Sequence, residues 1–266
     1  MMPGVMHPVR SRRPLVLGHR GFAARYPENT LLSFRKALEA GADGVECDVQ
    51  KTADGRFVVI HDASVERTSN GHGQVADLAL ESLRHLDFGG GERIPTLEEM
   101  LAVVSGTYLD LELKEETLTA TDFPAISTAL RAHDKARLMI SSFKPELLFP
   151  FRRHGYTVGL LLGEEAYQAG ATAIATVVLR LRPQFLNLPV QTMERIGVGR
   201  TRSLLRFLRF LGISVLWWTV NTVEAAREVM DQAAILVTDD PEILLSQRPD
   251  GALQRERPAP GAGGRS

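Results

Sequence analysis

Two acidic residues and a histidine come close together in residues 44–62 and could bind a metal ion. The stretch reads GVECDVQKTADGRFVVIHD, and its Asp-Gly pair at 54–55 predicts a β-hairpin with a two-residue type I′ turn. In that pairing Asp48 lies opposite His61, and Glu46 shares the face of Asp48 because side chains alternate along a strand. Two buried carboxylates are costly without a cation or a proton, and carboxylate oxygens are the ligands that Mg²⁺ and Ca²⁺ prefer. The stretch therefore predicts a site for one divalent cation, Mg²⁺ or Ca²⁺.

A surface hairpin with two solvated acids and an unrelated histidine would have the same pattern, so other features must distinguish the two interpretations. The chain has 266 residues, of which 44% are hydrophobic and 24% are charged, as in an ordinary globular protein. The formal net charge of −1 gives no support to nucleic acid or an anionic membrane as a partner. The single cysteine, Cys47, excludes an internal disulfide.

Membrane insertion and secretion are not indicated by the sequence. No stretch of about 18 uncharged apolar residues is present, which predicts a protein without a transmembrane helix or stable membrane insertion. The first residues, MMPGVMHPVRSRRPLVLGHRG, include basic residues but no apolar segment of signal-peptide length. We therefore expect a cytoplasmic protein.

Strand and helix patterns alternate along most of the chain, which predicts a (β/α)8 TIM barrel with a small insertion after the second strand. The sixth strand has two candidates, the segment near residue 185 and residues 173–181. An open doubly wound sheet is the alternative architecture, but the first strand is not followed by a glycine-rich dinucleotide-binding turn. The eight predicted strands begin near residues 15, 44, 107, 137, 157, 185, 214 and 235.

The same patterns divide the chain into a barrel and two terminal segments. We predict a flexible N-terminus over residues 1–13, a barrel domain over 14–248 and a disordered C-terminal tail over 249–266, where apolar periodicity is lost. Within the barrel, residues 62–95 form the predicted insertion, which has little regular structure. Such a segment is often a functional lid or rim, although a variable surface loop is equally compatible with the sequence.

Charged, polar and aromatic side chains lie at the carboxyl ends of several predicted strands, where barrel enzymes carry their catalytic residues. The fold would bring these side chains from different strands to a single mouth. The residues in question are His19, Arg20, Glu46, Asp48, Glu112, Lys114, Ser142, Phe143, Trp218 and Asp239.

Each of these signals has a structural alternative when it is considered alone. His19 could be a hydrogen-bonded residue at a strand-to-loop transition, and Glu112 and Lys114 could form a buried ion pair. The two tryptophans at 217–218 are more often packed in a core or at a rim than used to bind a ligand. The arginines at 200–209 are predicted to lie on a solvated helix face, with membrane contact as the less favoured alternative.

Ten short motifs, in order along residues 15–245, make the chain resemble the glycerophosphodiester phosphodiesterases. The individual motifs are weak, but their combination and order are specific. The motifs are His19-Arg20-Gly21, Pro27-Glu28-Asn29-Thr30, Gly41-Ala42-Asp43, Glu46-x-Asp48, Thr52-x-Asp54-Gly55, His61-Asp62, Arg67-Thr68, Glu112-Leu113-Lys114, Trp218-Thr219-Val220-Asn221 and Thr238-Asp239-Asp240-Pro241.

The resemblance implies a barrel with an insertion after its second strand and three groups of site residues. The divalent cation would be held by three acids, two histidines would act as acid and base, and two cations would bind phosphate. We also predict that Trp218 contacts the substrate. The implied residues are Glu46, Asp48 and Glu112 for the metal, His19 and His61 for proton transfer, and Arg20 and Lys114 for phosphate.

The reaction implied by the resemblance is the hydrolysis of a small glycerophosphodiester to glycerol 3-phosphate and an alcohol. His19 is expected to act as base and His61 as acid, and the attacking oxygen belongs either to water or to a neighbouring glycerol hydroxyl that forms a cyclic phosphate. Two alternatives stay open. One is a related barrel lipase that acts on lysophospholipids or sphingolipids, and the other is a barrel that binds phosphate without catalysis.

Overall fold

Eight parallel strands close into a barrel in the computed structural model, which describes residues 13–246. The barrel closes because β1 pairs with β2 on one side and with β9 on the other. The prediction of a (β/α)8 barrel is thus confirmed, whereas residues 1–12 and all of the tail 249–266 lie outside the described residues. A ninth strand, β3, pairs antiparallel with β2 and is not part of the barrel. In chain order the strands are β1 (Leu15–His19), β2 (Gly44–Lys51), β3 (Phe57–Val59), β4 (Tyr108–Leu113), β5 (Leu138–Ser142), β6 (Thr157–Leu161), β7 (Phe185–Pro189), β8 (Ser214–Trp218) and β9 (Ile235–Thr238).

Helices connect the strands and cover the outside of the barrel. Their starts follow local signals: the Thr30 hydroxyl caps α1 by accepting from the Ser33 amide, and Thr96 forms a capping box with Glu99 at α3. Within the described residues no helix combines the length and apolarity needed to cross a membrane. The helices are α1 (Leu31–Glu39), α2 (Leu80–Arg84), α3 (Leu97–Val103), α4 (Phe123–Ala129), α5 (Pro145–Arg153), α6 (Glu164–Leu181), α7 (Thr192–Ile196), α8 (Val198–Phe210), α9 (Val223–Val229) and α10 (Pro241–Leu245).

The uncertain region before β7 is helical. The segment 173–181, which was the alternative to the sixth strand, belongs to α6, so the strand at 185–189 is the correct one. Helix α6 is interrupted at Gly170, whose φ of +84° is favourable only for glycine.

Side chains alternate between the barrel interior and the surrounding helices. Leu109, Leu111 and Leu113 of β4 point outward into the main apolar core, so the residues between them point inward. A second apolar cluster separates the polar mouth from the opposite end of the barrel. Its buried members are Leu17, Met139, Phe185, Leu216, Ile235 and Val237.

The predicted register of the hairpin after β2 is wrong by one residue. Lys51 pairs with Phe57, and the Ile60 amide donates to the Asp48 carbonyl over 3.0 Å. Asp48 is therefore opposite Ile60, and His61 follows the end of β3 instead of lying in the strand.

The length of the loop explains this difference. Residues 53–55 form a three-residue loop, in which Gly55 adopts a φ of +76° and the Thr52 amide donates to the Arg56 carbonyl over 2.9 Å. The Thr52 hydroxyl also accepts from the Arg56 amide over 2.9 Å, which closes the longer loop.

The predicted insertion after the second barrel strand contains a short helix, α2, and a small apolar core of its own. This core joins the insertion to β3, so the segment is held against the barrel beside the end of β2. The buried side chains are Val58, Ile60, Val65, Val75, Leu83, Phe88 and Ile94.

Candidate active site

Three buried carboxylates from two neighbouring strands meet inside the mouth of the barrel. Glu46 and Asp48 lie on β2 and Glu112 lies on β4, where parallel pairing places Asp48 beside Glu112. One oxygen from each carboxylate lies within 4.8 Å of the other two, and all three residues are buried. The structure therefore brings together the three acids that the sequence analysis selected as metal ligands.

Lys114 lies within this acidic cluster. Its Nζ is 2.6 Å from Glu112 Oε1 and 3.0 Å from Asp48 Oδ1. The buried ion pair left open from the sequence is present and extends to a second carboxylate. Although burial opposes it, the nearby charges of Lys114 and Arg20 hold the pKa of Asp48 well below its usual range.

Lys114 does not fully offset the negative charge of the other two acids, Glu46 and Glu112. Burial, with a further contribution from Asp48, raises the pKa of Glu112 to about 8, and the same two causes raise the pKa of Glu46. Asp48 Oδ1 accepts no well-directed hydrogen bond even though Lys114 Nζ lies 3.0 Å away. A buried set of carboxylate oxygens with an unsatisfied acceptor fits a hard divalent cation such as Mg²⁺ or Ca²⁺.

The site contains a fourth inward acid, Asp110, which the sequence analysis did not assign to it. Burial raises the pKa of Asp110 to about 7. The Ser141 hydroxyl donates to its Oδ1 over 2.6 Å, and the Asn187 amide donates to its Oδ2 over 3.4 Å. Asp110 lies two residues before Glu112 on β4, so the alternation of side chains along a strand could have predicted that both point into the barrel. It lies deeper in the barrel, where it shapes the floor of the site.

His19 is held by a carboxylate from the last barrel strand. Its Nδ1 donates to Asp239 Oδ1 over 2.6 Å, and Asp239 Oδ2 accepts from Asn221 Nδ2 over 2.6 Å. Its Nε2 lies 3.9 Å from Glu46 Oε2. Because Asp239 accepts the hydrogen bond from Nδ1–H, Nε2 is the ring nitrogen that faces the acids and can accept a proton.

His61 is held in the same way, but by its neighbour in the sequence. Its Nδ1 donates to Asp62 Oδ1 over 2.6 Å, which again leaves Nε2 free. Burial and the charges of Lys114 and Arg20 lower the pKa of His61 and outweigh the opposing effect of Asp48.

An ion-pair chain connects the His61 anchor to Arg20. Arg67 donates to both oxygens of Asp62, over 2.5 and 3.0 Å, and to both oxygens of Glu28, over 2.8 and 2.7 Å. Glu28 also accepts from Arg20 Nη1 over 2.9 Å, and Arg20 Nε lies 3.3 Å from Asp48 Oδ2. The insertion that carries Arg67 is thereby tied electrostatically to the acidic cluster.

Trp218 lies at the end of β8, on the boundary between two cavities. It lines a small cavity of about 20 Å³ together with His19, Glu46 and Glu112. It also lines an apolar groove of about 540 Å³ between β6, α6 and the start of α5, where its ring packs edge to face on Phe143 with centroids 6.0 Å apart. His61 lines a separate small cavity beside Glu28, so the structure does not place every predicted residue around one continuous space.

Comparison with known proteins places the chain in one enzyme family. The chain matches the glycerophosphoryl diester phosphodiesterase family over residues 19–243. It is 34% identical over 257 residues to a glycerophosphodiester phosphodiesterase of Caldanaerobacter subterraneus, an alignment that covers 88% of this chain and 97% of the relative.

Two solved structures are similar over most of both chains. The glycerophosphodiester phosphodiesterase of Thermotoga maritima has a TM-score of 0.77 at 33% identity, covering 88% of this chain and 98% of the other. An Oleispira antarctica phosphodiesterase, solved with its product sn-glycerol-3-phosphate, has a TM-score of 0.75 at 27% identity, covering 89% and 97% of the two chains.

The position of Lys114 leads to a prediction about stability. Lys114→Met removes the only side-chain charge that contacts both Asp48 and Glu112 among residues 13–246, so Glu112 loses its cation and Asp48 keeps only Arg20. We expect the free energy of unfolding in chelator to fall by about 3–5 kcal/mol. The same substitution at the exposed Lys144, which pairs only at the surface, should change it by less than about 1 kcal/mol. Equal unfolding midpoints in denaturant for the two variants would contradict this account.

Proposed function

Because the chain belongs to the glycerophosphoryl diester phosphodiesterase family, we propose that it hydrolyses glycerophosphodiesters to glycerol 3-phosphate and an alcohol, using one divalent cation and two histidines. The main observation that supports this proposal is the buried cluster of Glu46, Asp48 and Glu112, which has the free Nε2 of His19 beside it. The sn-glycerol-3-phosphate bound to the Oleispira antarctica phosphodiesterase supports this product. The expected cytoplasmic location stays a prediction.

Glu46, Asp48 and Glu112 would hold the cation, which when bound offsets the negative charge of the phosphodiester and polarises a phosphoryl oxygen. Arg20 and Lys114 would add positive charge at the same place. In this structure both already contact Asp48, so their role in phosphate binding requires that some of their donors turn to the substrate.

Proton transfer follows from the way in which the two histidines are held. We assign His19 as the base: its free Nε2 accepts the proton of the attacking hydroxyl while a P–O bond forms to that oxygen. His61 must first take up a second proton at Nε2, which its lowered pKa opposes and the negative charge of the bound phosphodiester favours, and it then donates that proton to the leaving oxygen as the other P–O bond breaks. Asp239 and Asp62 keep the opposite ring nitrogen of each histidine protonated throughout. The attacking hydroxyl belongs either to water or to the glycerol of the substrate, in which case water opens a cyclic phosphate afterwards.

Metal dependence is the first test of this proposal. Chelator should abolish hydrolysis of glycerophosphocholine, and Mg²⁺ or Ca²⁺ should restore it. Asp48→Asn should lose both metal binding, measured by titration calorimetry, and turnover, because it removes one of three charged ligands. The exposed Asp77→Asn is the matched control and should bind metal normally. Full turnover in chelator with no metal detected by elemental analysis would overturn the metal role.

The histidines give a second test that separates their roles. His19→Ala and His61→Ala should each lower kcat by roughly 10²-fold or more, with metal binding retained, whereas the exposed His72→Ala should not. A nitrophenyl phosphodiester needs little protonation of its leaving group. It should therefore recover most of the loss in His61→Ala and almost none in His19→Ala. Recovery in the opposite variant would exchange the two assignments, and normal turnover in either variant would exclude that histidine from the reaction.

A second candidate function is supported by the apolar groove beside Trp218. This groove shares Trp218 and Leu161 with the cavity that holds the acids, so a hydrocarbon chain on the glycerol could extend into it from the phosphate site. Such a chain would make a lysophospholipid the substrate.

Filling the groove distinguishes the two substrates. Ala173 lines the groove from α6, so Ala173→Phe should lower kcat/KM for a lysophospholipid by about tenfold and leave that for glycerophosphocholine unchanged. Ala171 lies on the same helix but not in this groove, and Ala171→Phe should affect neither substrate. If the lysophospholipid is not hydrolysed, or is unaffected by Ala173→Phe, the second candidate fails while the first stands.

A further inference from the structure

One part of the chain has a net positive charge because it is almost free of acidic residues. Residues 166–223 contain seven arginines and one acid, Glu194, and no lysine or histidine, which gives a formal charge of +6. The whole chain has a net charge of −1, so the remaining residues carry −7. The near-neutral total therefore conceals a strongly basic segment.

Helix α8 combines this charge with exposed aromatic side chains. Its buried face is formed by Thr201, Leu205 and Leu208. Phe210 is 86% exposed and Phe207 is 40% exposed. At 100° per residue, Phe210 points almost directly away from the buried face. Four exposed arginines lie on both sides of this aromatic ridge, namely Arg200, Arg202, Arg206 and Arg209.

The apolar surface continues from α8 to α6. An apolar groove of about 650 Å³ separates the two helices, and both Phe207 and Ala175 line it. Leu179, one helical turn beyond Ala175, is 55% exposed. We call this surface, formed by 174–180 and 198–210, the α6–α8 flank.

The arginines of α8 form no ion pair in the described part of the chain, although Asp231 lines a cavity together with Arg202, Arg206 and Arg209. Among residues 13–246, no carboxylate forms an ion pair with the side chain of Arg200, Arg202, Arg206 or Arg209. Helix α8 itself contains no acidic residue. The flank thus presents a net positive charge beside apolar side chains, a combination typical of surfaces that lie in the headgroup region of a membrane.

We propose that the α6–α8 flank docks the enzyme on an anionic phospholipid bilayer. Phe207, Phe210 and Leu179 would enter the boundary between headgroups and acyl chains, and the arginines would pair with lipid phosphates. A second copy fits less well, because a two-fold contact would place the arginines of α8 against those of its partner. Double-stranded nucleic acid would pair with the arginines, but its bases are already stacked and offer no apolar surface to Phe210.

The direction of α8 determines how the barrel would be oriented relative to the bilayer. Helices of a (β/α)8 barrel run back from the carboxyl ends of the strands, so Val198 is near the mouth and Phe210 is near the opposite end. Docking through the flank would leave the mouth open to the aqueous phase. Membrane binding and hydrolysis of a soluble substrate should therefore be separable.

Vesicle flotation of the full chain tests the proposal. Vesicles of phosphatidylcholine with about one third phosphatidylglycerol should bind the protein, and pure phosphatidylcholine vesicles should not. Binding should weaken as salt rises, because screening reduces the electrostatic part. Arg206→Gln with Arg209→Gln should lower the partition constant about 25-fold, at about fivefold for each arginine near an anionic surface. Phe207→Ser with Phe210→Ser should lower it about tenfold or more.

The matched control removes two exposed arginines elsewhere on the barrel. Arg35→Gln with Arg131→Gln makes the same charge change outside the flank and should bind as the wild type does. All variants should hydrolyse glycerophosphocholine normally, which also shows that they are folded. No binding to anionic vesicles, or an equal loss in the control, would overturn the proposal. So would a dimer in sedimentation that Phe210→Ser abolishes, or RNA binding that is indifferent to Phe207 and Phe210.

Discussion

The burial of three carboxylates at one point is the constraint on which the mouth of this barrel depends. Glu46, Asp48 and Glu112 lie on adjacent strands with almost no access to water, where like charges repel strongly. Lys114 offsets part of this charge through contacts with two of them. The raised pKa of the other acids shows that one ammonium is not sufficient. The protein maintains an arrangement that is electrostatically incomplete by itself, which is expected of a site built for a cation.

Two carboxylate–imidazole pairs arise in different ways around this cluster. Asp239 reaches His19 only because the last strand closes the barrel against the first, so barrel closure itself orients that histidine. Asp62 follows His61 directly, and Arg67 fixes its position. The insertion therefore does more than cover the barrel, because its Arg67 also binds the Glu28 that holds Arg20. Displacement of this segment would disturb both His61 and Arg20.

Much of this architecture could be predicted from local patterns. The period of two along β2 and β4 was sufficient to place Glu46, Asp48 and Glu112 on inward faces, because that period does not depend on distant contacts. The hairpin register was missed because a Gly at φ > 0 serves a three-residue loop as well as a two-residue turn, and the Thr52 hydroxyl stabilises the longer one. The pairing of His19 with Asp239 could not be derived locally, because 220 residues separate the two.

The charge distribution shows why whole-chain averages are poor guides to partners. A net charge of −1 is the sum of a segment of +6, residues 166–223, where seven arginines face a single acid, and of −7 on the rest of the chain, which includes the acids of the mouth. If opposite charges were interspersed, neighbouring charges would pair and cancel each other's field. Salt limits the range of any remaining field to a Debye length of about 8 Å at physiological ionic strength. Separated charges instead leave the acidic mouth to attract cations and the basic helix face to attract anions. The site and the flank can therefore act independently on one rigid barrel, each through its local field.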